Sequence, residues 1–364
     1  MRVLLSFLSA SFLMVSSYGA EWTIETVAGR GLPGFSGDYG PAVSAHLDNP
    51  FGISRGPDGA LWICEHGGQR IRRIRSDGVI FTAAGDGKKR FAGDGLPVLE
   101  ASFSMPEEAC FDSKGDLFVA DMGNSVVRKV DFQTGVIRTI AGTGLRGYEG
   151  DGGSATVAYL RQPHHIRFGP DHNLYIADTG NHAIRKVDMN TGIISTVAGT
   201  GRPGPTPDGA PIAGTPLRGP RGIDFDKEGN LWVVTQEGNQ VFKVDFKAGR
   251  MVLMAGTGAK GFTGNGGPAR VATFRGPKGI ALDSEGNAWI ADTENNAVRM
   301  IDSKTGRLEL MVGTGERGDG PDGDPLHCRL ARVHGIFIDS DGSVYIGDSE
   351  SHCIRVMRKK NTNL

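Results

Sequence analysis

Two adjacent histidines, His164 and His165, directly follow Pro163 at the start of a short run of residues typical of a β-strand. Neutral imidazole nitrogens bind divalent metals such as zinc, and a histidine beside a carboxylate can act as a general acid or base. The question is whether these two side chains belong to a site or are one version of a repeated position.

A repeat organises the chain from about residue 22 onward. The motif TVAG at 26–29 returns five times, at steps of 56 or 57 residues, and a second landmark stands at residues 50, 106, 163, 220, 277 and 333. Each unit contains four runs of four to six β-prone residues, separated by clusters of Gly, Asp, Asn and Pro. Such runs predict four short antiparallel strands per unit, as in a propeller blade.

The two ends of the repeat array complement each other. The last unit stops after its third strand, CIRVM (353–357), and WTIETVAG (22–29) is an outer strand that lacks the three before it. Pairing the two removes both exposed sheet edges. The sequence therefore predicts an all-β fold: a six-bladed β-propeller with four-stranded antiparallel blades, closed by the N-terminal strand that completes the last blade.

The repeat also places the histidines. The residue after each landmark begins an inner strand, and the six copies form a first ring near the central channel: Phe51, Glu107, His164, Arg221, Lys278 and His334. The next residues form a second ring: Gly52, Glu108, His165, Gly222, Gly279 and Gly335. Glycine is the rule in the second ring, which suits close backbone approach. Only Glu108 and His165 break that rule, and they lie in neighbouring blades.

These rings supply the candidate site. The predicted ligand-binding residues are Glu107, Glu108, His164, His165, Arg221, Lys278 and His334. Arg221 and Lys278 suit an anionic group, whereas His164, His165, Glu108 and His334 are the candidate ligands of a divalent metal, zinc or calcium. No residue is assigned as catalytic, and a hydrated channel mouth closed by salt bridges is the alternative interpretation.

The repeat unit, exemplified by LYIADTGNHAIRKV (174–187), resembles the NHL repeat, and the loop motif GTGxxGFSGDGGPA resembles the subclass found in exported bacterial proteins of that family. The resemblance implies a six-bladed propeller that serves as a binding surface in some members and as an enzyme in others. Similarity to peptidyl-hydroxyglycine amidating lyases implies zinc bound by histidines on inner strands, two of which follow a proline. His164 and His334 match such inner-strand positions in opposite blades, but no third ligand is found, and the metal-site motifs of propeller lactonases are absent.

Other repeated positions predict structural roles. A carboxylate ends the second strand of five blades and is expected to cap the following turn: Glu65, Asp121, Asp178, Asp292 and Asp348. The loop residues Asp38, Asp94, Asp151 and Asn265 are expected to pack between blades. Blade four departs from the pattern, with Thr235 in place of the carboxylate and Phe242 where the other blades have arginine.

The ends and the composition bear on cellular context. Residues 1–20 resemble a signal peptide, which predicts export to the periplasm or the extracellular space, a propeller over 21–360 and a tail over 361–364. No second hydrophobic segment approaches the length of a membrane span. The 40 basic and 41 acidic residues nearly cancel, which argues against a nucleic-acid partner. Cys328 and Cys353 could pair, whereas Cys64 and Cys110 are expected to be free buried thiols.

Together these features predict an exported, monomeric recognition module that binds a protein, peptide or glycan through its loop-rich face. The alternative is a metal-dependent enzyme, a lyase or a lactone hydrolase, with its site at the channel mouth. No cofactor other than a possible divalent metal is indicated.

Overall fold

The computed structural model describes residues 21–360, which form six antiparallel sheets arranged as the blades of a propeller. The predicted fold class, including closure by the N-terminal strand, is confirmed. The predicted signal peptide and the tail lie outside the described residues. None of the helices in the described part of the chain is long and apolar enough to cross a membrane.

Each blade has an inner, a second, a third and an outer strand. In blade one these are Pro50–Arg55, Leu61–Glu65, Arg70–Ile74 and Val79–Ala84. In blade two they are Pro106–Phe111, Leu117–Asp121, Val126–Asp131 and Val136–Ala141. In blade three they are Pro163–Phe168, Leu174–Asp178, Ala183–Val187 and Ile194–Gly199.

The second half of the ring follows the same order. Blade four contains Pro220–Phe225, Leu231–Thr235, Gln240–Asp245 and Arg250–Ala255. Blade five contains Ile280–Leu282, Ala288–Asp292, Ala297–Ile301 and Arg307–Val312. Blade six contains Ile336–Ile338, Val344–Asp348, Cys353–Lys359 and, as its outer strand, Trp22–Ala28. Two-residue strands, Gly40–Pro41 and Gly267–Pro268, extend the outer edges of blades one and five.

Short 3-10 helices lie in the connections. Three of them follow outer strands and lead toward the next blade: Ala42–Ser44, Ala155–Val157 and Ala269–Val271. Four others form the turn between second and third strands: Met122–Asn124, Thr179–Asn181, Thr293–Asn295 and Ser349–Ser351. The N–H of Gly180 donates to the carbonyl of Arg161 at 2.9 Å, so this turn and the long inter-blade loop share one face of the propeller, which we call the loop-rich face.

The core lies between the blades. Each of six apolar clusters combines side chains from two neighbouring blades, and together they cover all six blade interfaces. A blade therefore cannot bury its two faces alone, and the ring is stable only as a whole. At the closing interface, Trp22 meets the ring of Trp289 edge to face, with ring centroids 5.6 Å apart.

A buried arginine on the third strand ties each of five blades to its incoming loop: Arg72, Arg128, Arg185, Arg299 and Arg355. In blade three, Arg185 Nη2 lies 2.7 Å from Asp151 Oδ1, and its Nη1 lies 3.4 Å from Asp178 Oδ2. The ring of Tyr148 packs over the guanidinium with its centroid 5.2 Å from Cζ. We call this set of contacts the arginine knot. The expected packing role of the loop residues Asp38, Asp94, Asp151 and Asn265 is confirmed.

The expected cap on the following turn is wrong. Asp178 makes no side-chain cap bond to that turn, and its Oδ1 instead accepts the backbone N–H of Arg161, 17 residues upstream, at 2.7 Å. The same upstream bond recurs at Glu65, Asp121, Asp292 and Asp348. The extended backbone before each inner strand points its N–H at the carboxylate, whereas the turn satisfies its own donors. These carboxylates therefore anchor the loop that enters each blade.

All four cysteines are buried free thiols, as expected for Cys64 and Cys110. The possible Cys328–Cys353 disulfide is not formed. Cys328 packs in the apolar cluster between blades five and six, whereas Cys353 Sγ points toward Asp348 Oδ2 at 3.9 Å. Burial raises the pKa of the Cys328 thiol to about 11, which makes it a poor nucleophile.

Candidate functional site

The structure brings all seven predicted site residues to one place. Together with Phe51, Gly52, Gly279 and Gly335, they line a cavity of about 20 Å³ at the mouth of the central channel, on the loop-rich face. We call these residues the channel mouth. The cavity holds roughly one water molecule. The channel is therefore closed here by side chains, and a larger ligand can contact the mouth only from outside.

The two exceptional second-ring residues meet as predicted from their neighbouring blades. His165 Nε2 lies 3.1 Å from Glu108 Oε2, and both side chains are buried. Elsewhere in this ring the backbones are very close, because a Cβ built on Gly222 would lie 2.4 Å from the carbonyl oxygen of Lys278. Glycine is therefore required at such positions, and the His165–Glu108 pair is a local departure from the repeat.

Glu107 is the centre of the first ring. Its Oε2 accepts a hydrogen bond from Arg221 Nη2 at 2.9 Å, reaching across blade three. Its Oε1 lies 3.1 Å from His66 Nδ1 and 3.9 Å from His164 Nε2. Burial raises the pKa of Glu107, but Arg221, His164 and His66 outweigh burial and lower that pKa to about 2. Glu107 is therefore an anion at every physiological pH.

The opposite side of the ring is closed by an aromatic stack and a lysine. The ring of Phe51 stacks between those of His66 and His334, with centroids 4.3 and 3.8 Å apart. His334 Nδ1 lies 2.7 Å from the carbonyl of Arg332, so we assign its proton to Nδ1. Lys278 Nζ then donates to His334 Nε2, 3.1 Å away.

Burial governs the ionisation of these groups. Burial, followed by the charge of Arg221, lowers the pKa of His164 to about 3, although Glu107 opposes this shift. Burial and the neighbouring cations Lys278 and Arg221 also hold the pKa of His334 well below its usual value. Burial lowers the pKa of Lys278 to about 8, with smaller contributions from Arg221 and Arg332. Both histidines are therefore neutral at pH 7.

Four buried polar atoms at the mouth have no hydrogen-bond partner among the described residues: His66 Nδ1, Glu107 Oε1, His164 Nδ1 and His165 Nδ1. His66 Nδ1 and Glu107 Oε1 are close but lack hydrogen-bond geometry. A buried unpaired donor or acceptor costs about 1–3 kcal/mol. These atoms are available to a water molecule or to a polar group of a ligand.

Several residues of the mouth were not predicted. His66 and Gln236 follow the second strand, and Gln236 Oε1 accepts from Arg221 Nη1 at 2.9 Å. Glu294 receives Lys278 Nζ at 3.1 Å and also pairs with Arg332, which precedes an inner strand. The residue directly after the second strand, His66 in blade one and Gln236 in blade four, differs in almost every blade, and that variation is the sequence signal for these two mouth residues.

The proposed metal ligands do not converge. Across the described residues, the one group of three His, Cys, Asp or Glu ligand atoms within 4.8 Å of one another is Asp319, Asp348 and Cys353 in blade six, which contains none of the predicted ligands. Arg355 already forms salt bridges with Asp319 and Asp348 of that group. At the mouth, the cations Arg221 and Lys278 stand beside the candidate ligands and oppose a further positive charge. The residues present therefore do not fit a metal centre.

Larger cavities lie on the opposite face. One of about 540 Å³ lies between blades five and six, and one of about 840 Å³ lies between blades four and five. The indole N–H groups of Trp289 and Trp232 point into these clefts but are already bound by Asp283 and Asp226. Both tryptophans are almost fully buried. Volume alone does not make either cleft a better candidate than the mouth.

Comparisons with known proteins agree with this architecture. The family model described as "NHL repeat" matches residues 160–187, 274–299 and 330–357, in blades three, five and six. NHL repeat-containing protein 2 of Gallus gallus is 30% identical over 303 residues, covering 74% of this chain and 40% of its own length. The chain belongs to the NHL-repeat β-propeller family. It spans between 12% and 40% of the length of the curated relatives it matches.

Solved structures with the same fold are more distant in sequence. An auxiliary nutrient binding protein from Bacteroides thetaiotaomicron superimposes with a TM-score of 0.66 at 15% identity, covering 93% of this chain and 76% of that one. Virginiamycin B lyase from Staphylococcus aureus superimposes with a TM-score of 0.57 at 16% identity, covering 93% of this chain and all of that one. At these identities the likeness concerns the fold alone.

Proposed function

We propose that this protein is an exported recognition module that binds its ligand on the loop-rich face, over the channel mouth. The observation that carries the proposal is that the repeat is interrupted there. Structural positions recur from blade to blade, whereas the first ring of the mouth has five residue types in six blades and the mouth contains buried polar atoms without a hydrogen bond among the described residues. Where the side chains of a repeating scaffold differ from one repeat to the next, specific recognition is expected.

The closed channel determines how a ligand would bind. A cavity of about 20 Å³ admits one small polar group, so the rest of the ligand lies across the loops. His165 can offer a free Nδ1, and Arg221 and Lys278 supply positive charge at the mouth. The description of one fold neighbour as an auxiliary nutrient binding protein supports a binding role. The predicted signal peptide supports export.

The test uses the repeat itself to design a variant. Glu108→Gly combined with His165→Gly gives both positions the residue that the other four blades have, so the fold should be kept. The purified protein and this variant are screened on glycan and peptide arrays. The control is Glu228→Ala with Lys247→Ala, two exposed residues on the opposite face.

The expected result is that ligands captured by the parent protein are lost by the mouth variant, at least tenfold in affinity, and retained by the control. Equal capture by all three proteins would refute binding at the mouth. Metal analysis of the same preparations separates the enzyme alternative. Stoichiometric metal that disappears in His164→Ala and His334→Ala variants would replace the binding proposal with a metalloenzyme.

A further inference from the structure

Six exposed cations on the loop-rich face of blades three, four and five have no ion-pair partner within the described chain: Arg146, Arg161, Arg202, Arg218, Lys260 and Arg275. We call them the basic arc. The whole protein has a formal net charge of −1, so this concentration is local. The exposed carboxylates in the same segments that also lack an ion-pair partner there are Glu149 and Glu237.

The arc is built by the repeat. In each of the three blades, the long loop forms a parallel bridge with the segment that leads into the inner strand: Arg146 with Leu160, Pro203 with Leu217, and Lys260 with Phe274. Each bridge places one cation of the loop beside the arginine that follows the bridged residue. Blades three to five therefore each present two neighbouring positive charges.

The arc also has a defined position. The stem of Arg161 lies over the turn Thr179–Asn181, because a Cβ on Gly180 would come within 2.7 Å of its Cγ. Burial lowers the pKa of His182, and the charges of Arg161 and Arg218 lower it further. Both arginines therefore lie near this histidine, between blades three and four. The arc thus runs along three consecutive blades, on the same face as the channel mouth.

In two of the other blades, several cations of the loop-rich face are paired with carboxylates. In blade two, Lys88 and Arg90 both approach Asp86, at 3.5 and 3.4 Å. In blade six, Arg317 and Arg332 both pair with Glu350, at 2.6 and 2.9 Å. Arg30, Lys89 and Arg329 in the loops of the other blades are also exposed and lack an ion-pair partner among the described residues, but each stands alone. Blades three to five are where two free cations of the described chain lie together, and that side can receive a ligand with several negative charges.

We infer that the basic arc binds an acidic polysaccharide, which is a proposal that rests on the recognition role proposed above. Exposed guanidinium groups recognise carboxylate and sulfate groups through paired hydrogen bonds. An arc with two cations per blade matches a polymer with an anionic group in each repeat unit, and several weak contacts add up along one chain.

Two other polyanions fit less well. Single-stranded nucleic acid requires aromatic platforms for its bases, but Tyr148 and Phe262 of these loops cover the buried Arg185 and Arg299 instead. An acidic peptide gains affinity from an open strand edge or an apolar groove. The loops of the arc have already used their edges in the parallel bridges.

The experiment removes one cation from each blade. Arg161→Ser, Arg218→Ser and Arg275→Ser are combined, because blade two has Ser104 at the same repeat position. The matched control, Lys114→Ser with Lys247→Ser and Arg250→Ser, makes the same change of charge at exposed residues of the opposite side. Binding of polygalacturonate, dextran sulfate, neutral dextran, polyglutamate and single-stranded DNA is measured at two salt concentrations.

The expected result is binding of polygalacturonate or dextran sulfate that falls at least tenfold in the arc variant and less than twofold in the control. The first probe reports carboxylates and the second reports sulfates. Equal loss in both variants, or tighter binding of polyglutamate or DNA, would overturn the inference. A neutral ligand that depends on Glu108 and His165 but not on the arc would refute this inference and leave the recognition role intact.

Discussion

The arginine knot and the channel mouth are two buried clusters of charge in the same molecule, and the repeat treats them differently. The knot is present in five blades with nearly the same partners, and its arginines are almost fully buried. The mouth is assembled once, from a first ring in which histidine alone occurs twice and a second ring in which Glu108 and His165 replace glycine. A charge cluster that recurs with the repeat serves the scaffold, and one that does not recur is free to serve a ligand.

Blade four lacks the arginine knot. Phe242 replaces the arginine, Thr235 replaces the carboxylate, and the loop residue Asp208 pairs with Arg270 on the surface instead. Phe242 packs in the apolar cluster between blades three and four. Removing both charges together avoids an unpaired buried ion, which is more costly than the loss of the pair.

The largest effect is expected in the knot. Arg185→Met leaves Asp178 buried without its cation and should lower the free energy of unfolding by about 3–5 kcal/mol. Arg185→Phe combined with Asp178→Thr copies blade four and should recover at least half of that loss. Urea unfolding of both variants measures the difference. If single and double variants are equally destabilised, the knot is not a unit that the repeat can exchange.

A smaller loss is expected at the mouth. Glu107→Gln removes the charged partner of Arg221 and should lower the free energy of unfolding by about 2 kcal/mol. The mouth is less completely buried than the knot and retains Gln236 as a second acceptor for Arg221. The exposed Glu228→Gln is the control, with no expected change. A loss as large as that of Arg185→Met would mean that the mouth is structural in the same sense as the knot.

The pH dependence at His164 distinguishes the two clusters further. The unfolded chain binds a proton at the ordinary pKa of 6.5, whereas burial keeps the folded pKa of His164 near 3. The unfolded state therefore binds more protons between these values, and stability falls as the pH falls below 6.5. At pH 5 the loss amounts to about 2 kcal/mol.

Melting curves of the parent protein and His164→Gln, recorded from pH 7.5 to 5, report this contribution as a difference. The variant should lose less stability on acidification, because it has no imidazole to protonate, and the other titrating groups cancel in the comparison. Parallel curves would show that the pKa of His164 in the folded protein is close to that in the unfolded chain, which would contradict the effect of burial.

The sequence was sufficient for the scaffold because the repeat provides internal controls. The blade boundaries, the closing strand and the contact between His165 and Glu108 all follow from the 57-residue period. The same comparison failed for Asp178, because the identity of its donor depends on a loop that returns from 17 residues upstream. Geometry of that kind is not visible in a periodic pattern.

The closure of the mouth was beyond the sequence for a different reason. The rings that seal it combine side chains from non-neighbouring repeats, such as Glu107 and Arg221, and from turns that had been assigned no role, such as His66 and Gln236. Which side chain fills the space depends on rotamers and on a competition among cations and acceptors. The repeat pattern does not determine which cation pairs with which acceptor.

The pairing of Trp22–Ala28 with Cys353–Lys359 sets a condition on synthesis. The first strand waits for a partner made more than 300 residues later, as in the register of Ile24 with Met357. Pairings so distant in the chain form late and slowly. A ribosome or a translocation pore delivers the chain from its N-terminus. The other five blades are therefore complete before the outer strand of the sixth blade, Trp22–Ala28, can pair with its partner. A chain interrupted before residue 353 therefore leaves the strand Trp22–Ala28 without its partner.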